Sequence, residues 1–285
     1  MKTSLCIAIA VGLTVAVTGC LNLPRKAEKS SSVVAFLYPN QANYLPPTSI
    51  PVLHVPLHVG VAFVPSEALQ GRGYYGTGGE LSEMKKAELL ERVAAQFRTR
   101  NFIADIQTVP SAYLRPGGGF ENLDQVRGLL GVDVIVLVAY DQIQFTDQNY
   151  LSLSYWTIVG AYVFRGERND TQTLMEAAVY DIPSRHLLFR APGTSEVRGG
   201  STPIDLSKML RDNSADGFAK ATDDLVGNLK TQLDQFKVRL KENPGEVQIQ
   251  RAPGYTGAGE IGAPFAVGLA LLAAGASLIR KRARS

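Results

Sequence analysis

The chain has 285 residues, a formal net charge of +3 and an apolar fraction of 45%. Those proportions are ordinary for a folded protein and exclude wholesale disorder. Two cysteines and three histidines exclude a disulfide scaffold, and a four-ligand zinc site would have to draw heavily on carboxylates.

Residues 1–19 carry Lys2, then an apolar run from Leu5 to Leu13, then Val17-Thr18-Gly19 in front of Cys20. A charged start, a short apolar stretch and a small residue before the cleavage point make a secretory signal peptide. The run is too short to cross a bilayer. The quartet Val17-Thr18-Gly19-Cys20 resembles a bacterial lipobox. The resemblance implies cleavage between Gly19 and Cys20, and an anchor in which the Cys20 sulfur carries a diacylglycerol, with palmitate among the acyl chains. Cys6 lies in the removed part, so no disulfide is expected even in an oxidising compartment. By resemblance to enterobacterial sorting, Leu21 in place of Asp points to the outer membrane.

Residues 20–50, rich in Ser, Pro, Asn and Lys, read as a lipidated tether, which leaves the fold to residues 51–242. Val52–Val64 is apolar on both faces and reads as a central strand. Thr77-Gly78-Gly79-Glu80 fits a capping box. Leu81, Met84, Leu90, Val93, Ala94 and Phe97 follow at helical spacing. Phe102–Pro110 reads as a second strand, Gly117-Gly118-Gly119 as a loop, Glu121–Leu130 as a short helix and Val132–Tyr140 as a third, buried strand. Leu151–Phe164 is apolar and aromatic, too short for a span, and suits either a buried element or a docking surface with Tyr155, Trp156 and Tyr162. Thr173–Ile182 and His186–Ala191 form a hairpin around Pro183-Ser184-Arg185. A long helix begins near Thr202-Pro203 and buries a stripe from Phe218 through Leu225, Leu229 and Leu233 to Leu240.

Two successive strand–helix–strand units imply parallel pairing. The expected fold is a single α/β domain with a mixed, mostly parallel sheet, edged by the antiparallel hairpin. Its element order is similar to the periplasmic lipoproteins that activate penicillin-binding proteins and to the amino-terminal domain of the Tol-system propeller protein. A likeness of fold carries no activity with it.

Beyond Asn243-Pro244-Gly245 the chain reads as a linker with a sorting motif, 243–260, then a charge-free run, 261–279, then the basic tail Arg280-Lys281-Arg282-Ala283-Arg284-Ser285. Nineteen residues at about 1.5 Å each just cross a hydrocarbon core about 30 Å thick. The basic cluster is expected to stay cytoplasmic, with the body in the periplasm. Five bases, Lys2, Arg280, Lys281, Arg282 and Arg284, belong to these end segments, and residues 20–259 carry a net charge of about −1. A nucleic-acid footprint is therefore not expected.

Small residues, an apolar run and a basic stop resemble the GlyGly-type sorting signal cut by rhombosortases, which are rhomboid-like intramembrane proteases. Gly257, Ala258 and Gly259 are the processing candidates, although they lack a Gly-Gly pair. The lipobox, Ser154-Tyr155-Trp156-Thr157-Ile158-Val159-Gly160-Ala161-Tyr162, Val179-Tyr180-Asp181-Ile182, Ser184–Gly193 and the C-terminal signal together resemble the rhombotarget lipoprotein family along essentially the whole chain. The resemblance implies processing at both ends and no known chemistry. The partners it implies are lipoprotein-processing enzymes, a rhomboid-like protease, membrane lipid and an unidentified envelope protein.

No catalytic constellation emerges. His54 and His58 share a strand face some 13 Å apart at about 3.3 Å per residue, too far to chelate one metal. His186 reads as structural or solvent-facing. Ser184 lacks a nucleophile elbow. Gly117-Gly118-Gly119 has no following Lys-Ser/Thr for a phosphate loop. Asp133, Asp141 and Asp147 read as caps or loop residues, and Asp223-Asp224 as a solvated helix face. Neither metal nor cofactor is expected. The chain reads as a non-enzymatic assembly or regulatory lipoprotein; a periplasmic activator of a cell-wall synthase and an enzyme with an unrecognised site are the alternatives.

Overall fold

Val132–Tyr140 is apolar at every position except Asp133, and such a strand is stable only with both faces covered. The computed structural model describes residues 25–39, 49–65, 81–148, 167–201, 205–253 and 255, and it supplies both covers. The strands are β1 (Arg25–Ser30), β2 (Val52–Val55), β3 (Leu57–Phe63), β4 (Ile103–Thr108), β5 (Val134–Gln148), β6 (Glu167–Asp181), β7 (His186–Ser201) and β8 (Gln248–Arg251). The helices are α1 (Val33–Leu37), α2 (Glu83–Ala95), α3 (Gly119–Leu130) and α4 (Leu206–Glu242). The main sheet runs β4-β3-β5-β6-β7, with β1 also paired to β5. Helices α2 and α4 cover one face and α1 and α3 the other, each over its own apolar cluster.

The two strand–helix–strand units pair in parallel, with β3 between β4 and β5. The remainder corrects the expected sheet, which is mostly antiparallel. Strands β5 and β6 pair over 15 residues, β6 pairs with β7 along its whole length, and β1 runs against β5 from Arg25↔Thr146 to Ser30↔Asp141. The lower half of β5 therefore pairs with β3 and its upper half with β1, along one edge. The expected first strand is divided at Pro56, which has no N–H for a ladder. Val52–Val55 joins β8 in a separate two-stranded parallel sheet.

The folded unit is also wider than 51–242. The tether expected over 20–50 contains β1 and α1. Ser31 donates its backbone N–H to the Tyr140 carbonyl at 2.8 Å, Ser32 caps α1, and Val33, Phe36 and Leu37 are buried against α3. The linker expected over 243–260 contains β8, and Val247 is buried in the main cluster. Helix α2 starts at a Ser82 cap, whose Oγ accepts from Lys85 N at 3.3 Å. The capping box at 77–80, the segment 151–164, Cys20, Gly257–Gly259 and the run 261–279 lie outside the described residues. Among the described residues no helix is long and apolar enough to cross a membrane.

Helix α4 fixes the architecture. Its lower half presents Leu225, Leu229, Leu233 and Leu240 to the apolar sheet face. Its upper half meets polar groups. Gln142 Nε2 donates to Thr173 Oγ1 at 2.8 Å and to the Ser214 carbonyl at 3.1 Å, and Ser214 Oγ donates back to Gln142 Oε1. Gln144 Nε2 donates to the Leu210 carbonyl at 2.8 Å. Between the halves the backbones nearly touch. A Cβ on Gly193 would stand 2.3 Å from the Ala221 carbonyl oxygen and 2.6 Å from Leu225 Cβ. Phe63, Tyr140 and Phe218 stack edge to face across the same point, at 5.9 and 5.3 Å.

Gly193→Ala is therefore expected to lower stability by about 1–3 kcal/mol, because no side-chain rotation relieves a clash with backbone. Gly227 lies on the same helix with nothing near its would-be Cβ. Gly227→Ala is expected to raise stability by about 0.5–1 kcal/mol. Urea unfolding midpoints of the two variants, moving in opposite directions, check both statements.

A fragment spanning 50–242 lacks β1, α1 and β8, and uncovers apolar surface on α3 and beneath β2. It is expected to unfold at a lower temperature than a fragment spanning 25–255, as read by circular dichroism.

Candidate functional site

The residues singled out for chemistry are scattered. His54 and His58 are exposed and belong to different sheets, opposite Gln250 and Asp105 respectively. Asp133 precedes β5 and accepts from Arg127 Nε at 2.9 Å. Asp141 lies eight residues further on, about 26 Å along the strand, and Asp147 lies near its end. Among the described residues no three His, Cys, Asp or Glu side chains converge as a metal site would need.

The turn between β6 and β7 brings Asp181, Ser184 and His186 together, but not as a nucleophile and its base. Ser184 Oγ and Ser184 N both donate to Asp181 Oδ2. The His186 ring nitrogen Nδ1 lies 3.3 Å from the Ser184 carbonyl oxygen, not from its hydroxyl. A serine that donates to a carboxylate and has no imidazole at Oγ is not activated for attack. Asp181 is 1% exposed and holds a turn whose Arg185 has φ 61°. The arrangement closes a hairpin.

The glycine run is likewise structural. Gly117 and Gly119 have φ of 63° and 61°, a left-handed backbone that favours glycine. Would-be Cβ atoms there meet Pro39 Cβ at 3.2 Å and the Leu37 carbonyl at 3.3 Å. The loop is bare so that the end of α1 can lie on it. Asn122 ties it down, accepting from Arg115 N at 2.8 Å and donating to the Tyr113 carbonyl at 3.0 Å. Asp223 and Asp224 are more than a solvated face. Asp223 pairs with Arg92 Nη1 of α2 at 3.2 Å, and Asp224 Oδ2 accepts from Thr194 N of β7 at 2.9 Å.

Two charged side chains are buried among the described residues, Asp181 and Lys86. Lys86 Nζ bonds Glu83 Oε1 at 2.9 Å. That bond holds the Glu83 carboxyl below its usual range, against a smaller opposing effect of burial and with further help from Ser111.

One concave feature of the described body is apolar. A cavity of about 90 Å³ lies between the sheet, α2, the lower half of α4 and the roof formed by β2 and β8. Val136, Val179, Phe102, Leu229, Leu233 and Phe236 face it. Its one charged lining residue is Lys237. Nothing in the sequence pattern marks it, because most of its lining residues read as ordinary core.

No protein-family model matches the chain, and no curated protein matches it. Solved structures with some likeness include two of PelC dodecamers from Paraburkholderia phytofirmans. One, a point variant, is 13% identical and has a TM-score of 0.26, with 72% of this chain and 98% of that one covered. The other is 12% identical, with a TM-score of 0.27 and coverage of 73% and 96%. Lipoprotein GNA1162 from Neisseria meningitidis is 14% identical, with a TM-score of 0.21 and coverage of 59% and 96%. Likeness at that level carries no argument about this chain's activity or partners.

The Glu83–Lys86 pair yields a pH prediction. The folded pKa of Glu83 is depressed, so its contribution is present above the ordinary carboxylate range and is lost as pH falls through the folded value. Glu83 is mostly exposed, which keeps the effect small. Glu83→Gln is expected to melt below the parent chain at neutral pH, and the gap is expected to close as pH falls below about 4.3. Melting curves across pH 3–7 measure it.

Proposed function

We propose that the chain is an envelope-anchored bacterial lipoprotein, lipidated on Cys20, whose C-terminal segment is removed near Gly257, Ala258 and Gly259 by a rhombosortase-type protease. Its body serves as an assembly or regulatory module without chemistry of its own. The observation that carries the reading is the sequence Val17-Thr18-Gly19-Cys20 behind a charged start and a short apolar run. The charge-free run 261–279 and its basic stop support the second processing step.

The extent of the fold sharpens the reading. Because β1 begins at Arg25, only Leu21–Pro24 would separate the lipidated cysteine from the body, at most about 15–18 Å of chain. The module would thus sit close against its membrane. Arg25 pairs with Thr146 at the far end of β5, so the upper end of the sheet, where β5 and β6 pair last at Gln148 and Glu167, would lie nearest the lipid.

Cys20→Ser removes the thiol needed for a thioether. It is expected to abolish palmitate labelling and leave the signal peptide uncut. Intact mass of envelope-purified parent protein is expected to show a chain without Arg280–Ser285. Unchanged palmitate labelling of the variant would overturn the lipid anchor, and a dominant species containing Leu278-Ile279 would overturn the trimming.

A further inference from the structure

An unpaired strand edge invites another strand, and folded proteins usually guard it. Among the described residues β7 is the last strand of the main sheet and pairs only with β6. Along its lower half α4 guards the open side. The Leu188 carbonyl accepts from Arg239 Nη2 at 2.6 Å and the Pro192 carbonyl from Asn228 Nδ2 at 2.9 Å. Thr194 N donates to Asp224 Oδ2 at 2.9 Å. The upper half of α4 lies further inward, where Leu210 and Ser214 offer their carbonyls to Gln144 and Gln142 of β5, two strands from the edge. The guard therefore ends at Thr194.

Backbone groups of successive residues point to opposite sides of a strand. Thr194 directs its N–H away from β6, so Glu196, Arg198 and Gly200 present theirs on the same open side. The stretch Glu196-Val197-Arg198-Gly199-Gly200-Ser201 has no proline and no net charge. By contrast β1, at the other flank of the upper sheet, holds Arg25, Lys26, Glu28 and Lys29, charges of the kind that keep an edge unpaired. The β7 pattern is also self-complementary. When it meets a second copy antiparallel about Val197, each Glu196 lies opposite the other copy's Arg198. Both are outward residues, so the same register pairs their backbone groups. Centring on Glu196 or on Arg198 would instead set like charges face to face. Within the chain Arg198 Nε donates to Glu196 Oε1 at 2.8 Å, and both side chains are exposed. Carboxylate and guanidinium each have further bonding positions, so a second copy adds to that pair without displacing it.

From this we infer that the upper edge of β7 is a homodimer contact, an isologous antiparallel strand pairing centred on Val197 that joins two sheets into one. Asp224, already on Thr194 N, limits the ladder at each end, and a ladder this short gives a reversible dimer. The inference needs neither lipidation nor trimming, so it and the proposed function fail separately.

The test is sedimentation equilibrium of the full chain in non-ionic detergent, joined to oxidative crosslinking. The parent chain is expected to show a concentration-dependent monomer–dimer equilibrium. Val197→Cys is expected to form a disulfide-linked dimer, because the two copies of position 197 face each other as a non-hydrogen-bonded pair with Cα atoms about 4.5 Å apart. Ser195→Cys is expected to form none, since its two copies stand about 13 Å apart along the strands. The parent, with its own Cys6 and Cys20, sets the background. Glu196→Arg is expected to raise the dissociation constant by about tenfold or more, since two opposite-charge pairs become like-charge pairs. Adding Arg198→Glu to that variant is expected to restore the dimer. Arg198→Pro removes an N–H that β6 does not use, and it is expected to abolish the dimer and leave the circular dichroism spectrum unchanged. If that variant does not fold, the charge reversals decide. A parent that stays monomeric at every concentration overturns the inference. Equal crosslinking at 195 and 197, or a double reversal that fails to restore the dimer, overturns it too. So does association that survives Arg198→Pro, since the apolar run 261–279 would then be the contact. Slow hydrogen exchange at the Glu196 and Arg198 amides of the monomer also overturns it, because another segment of the same chain would already hold the edge.

Discussion

The contact between the Gly193 backbone and α4 is the constraint on which the remaining packing depends. A helix normally stands off a sheet by the length of the side chains between them. Here one glycine removes that spacer, and the Ala221 carbonyl lies where a Cβ would be. Gly217, one turn earlier on the helix, has Thr173 Oγ1 only 2.7 Å from its own would-be Cβ, and its carbonyl accepts from Ser195 Oγ. Once the elements touch at this waist, the two ends of the helix are committed. One half reaches the polar groups of the upper sheet, and the other diverges over a wider apolar space. The cavity and the polar seam are thus two results of a single close approach.

That division explains which parts of the fold could be read from the sequence. Below the waist β3 and the start of β5 are largely apolar runs, and with β4 beside them they stood out together with their parallel order. Above the waist the usual pattern is inverted. Gln142, Gln144, Thr171 and Thr173 are buried, whereas Phe145 and Leu174 are 38% and 49% exposed. Periodicity looks for apolar residues facing the core, so Asp141–Gln148 and Glu167–Gln172 gave no strand signal. Missing those halves made the sheet look mostly parallel. The same weakness hid β1 and β8. Their composition is polar, and each is held by one neighbouring strand through backbone pairing that any side chain allows.

The chemically suggestive residues were legible as types but not as roles. Serine, aspartate and histidine within six positions of each other form a turn because Oγ faces the carboxylate. Gly117-Gly118-Gly119 is a seat for α1, a role that depends on Pro39 and Leu37, some 80 residues away in sequence. Asp224 pins helix to sheet through Thr194 N, an acceptor role that charge patterning cannot distinguish from a solvated face. The stretch Ser184–Gly193, which carried part of the family resemblance, contains both the hairpin lock and the waist glycine.

The two places where chain leaves the folded unit lie at opposite ends of the sheet. Arg25 is beside Thr146, near the top of β5. Tyr255 is beside Asn101, to whose carbonyl it donates at 2.8 Å, next to the strand starts around Leu57 and Val134. From Val134 to Thr146 is about 40 Å of extended strand. Under the proposed double attachment, both exits would be held within a few residues of one bilayer, and the precursor would have to recline, its long axis parallel to the lipid. Trimming near Gly257 releases one end only. The mature body would then be free to pivot upright about Cys20 and to lift its roof of β2 and β8 some tens of ångströms off the surface. A proteolytic cut at the tail would in this way act as a change of posture, made without any rearrangement inside the domain.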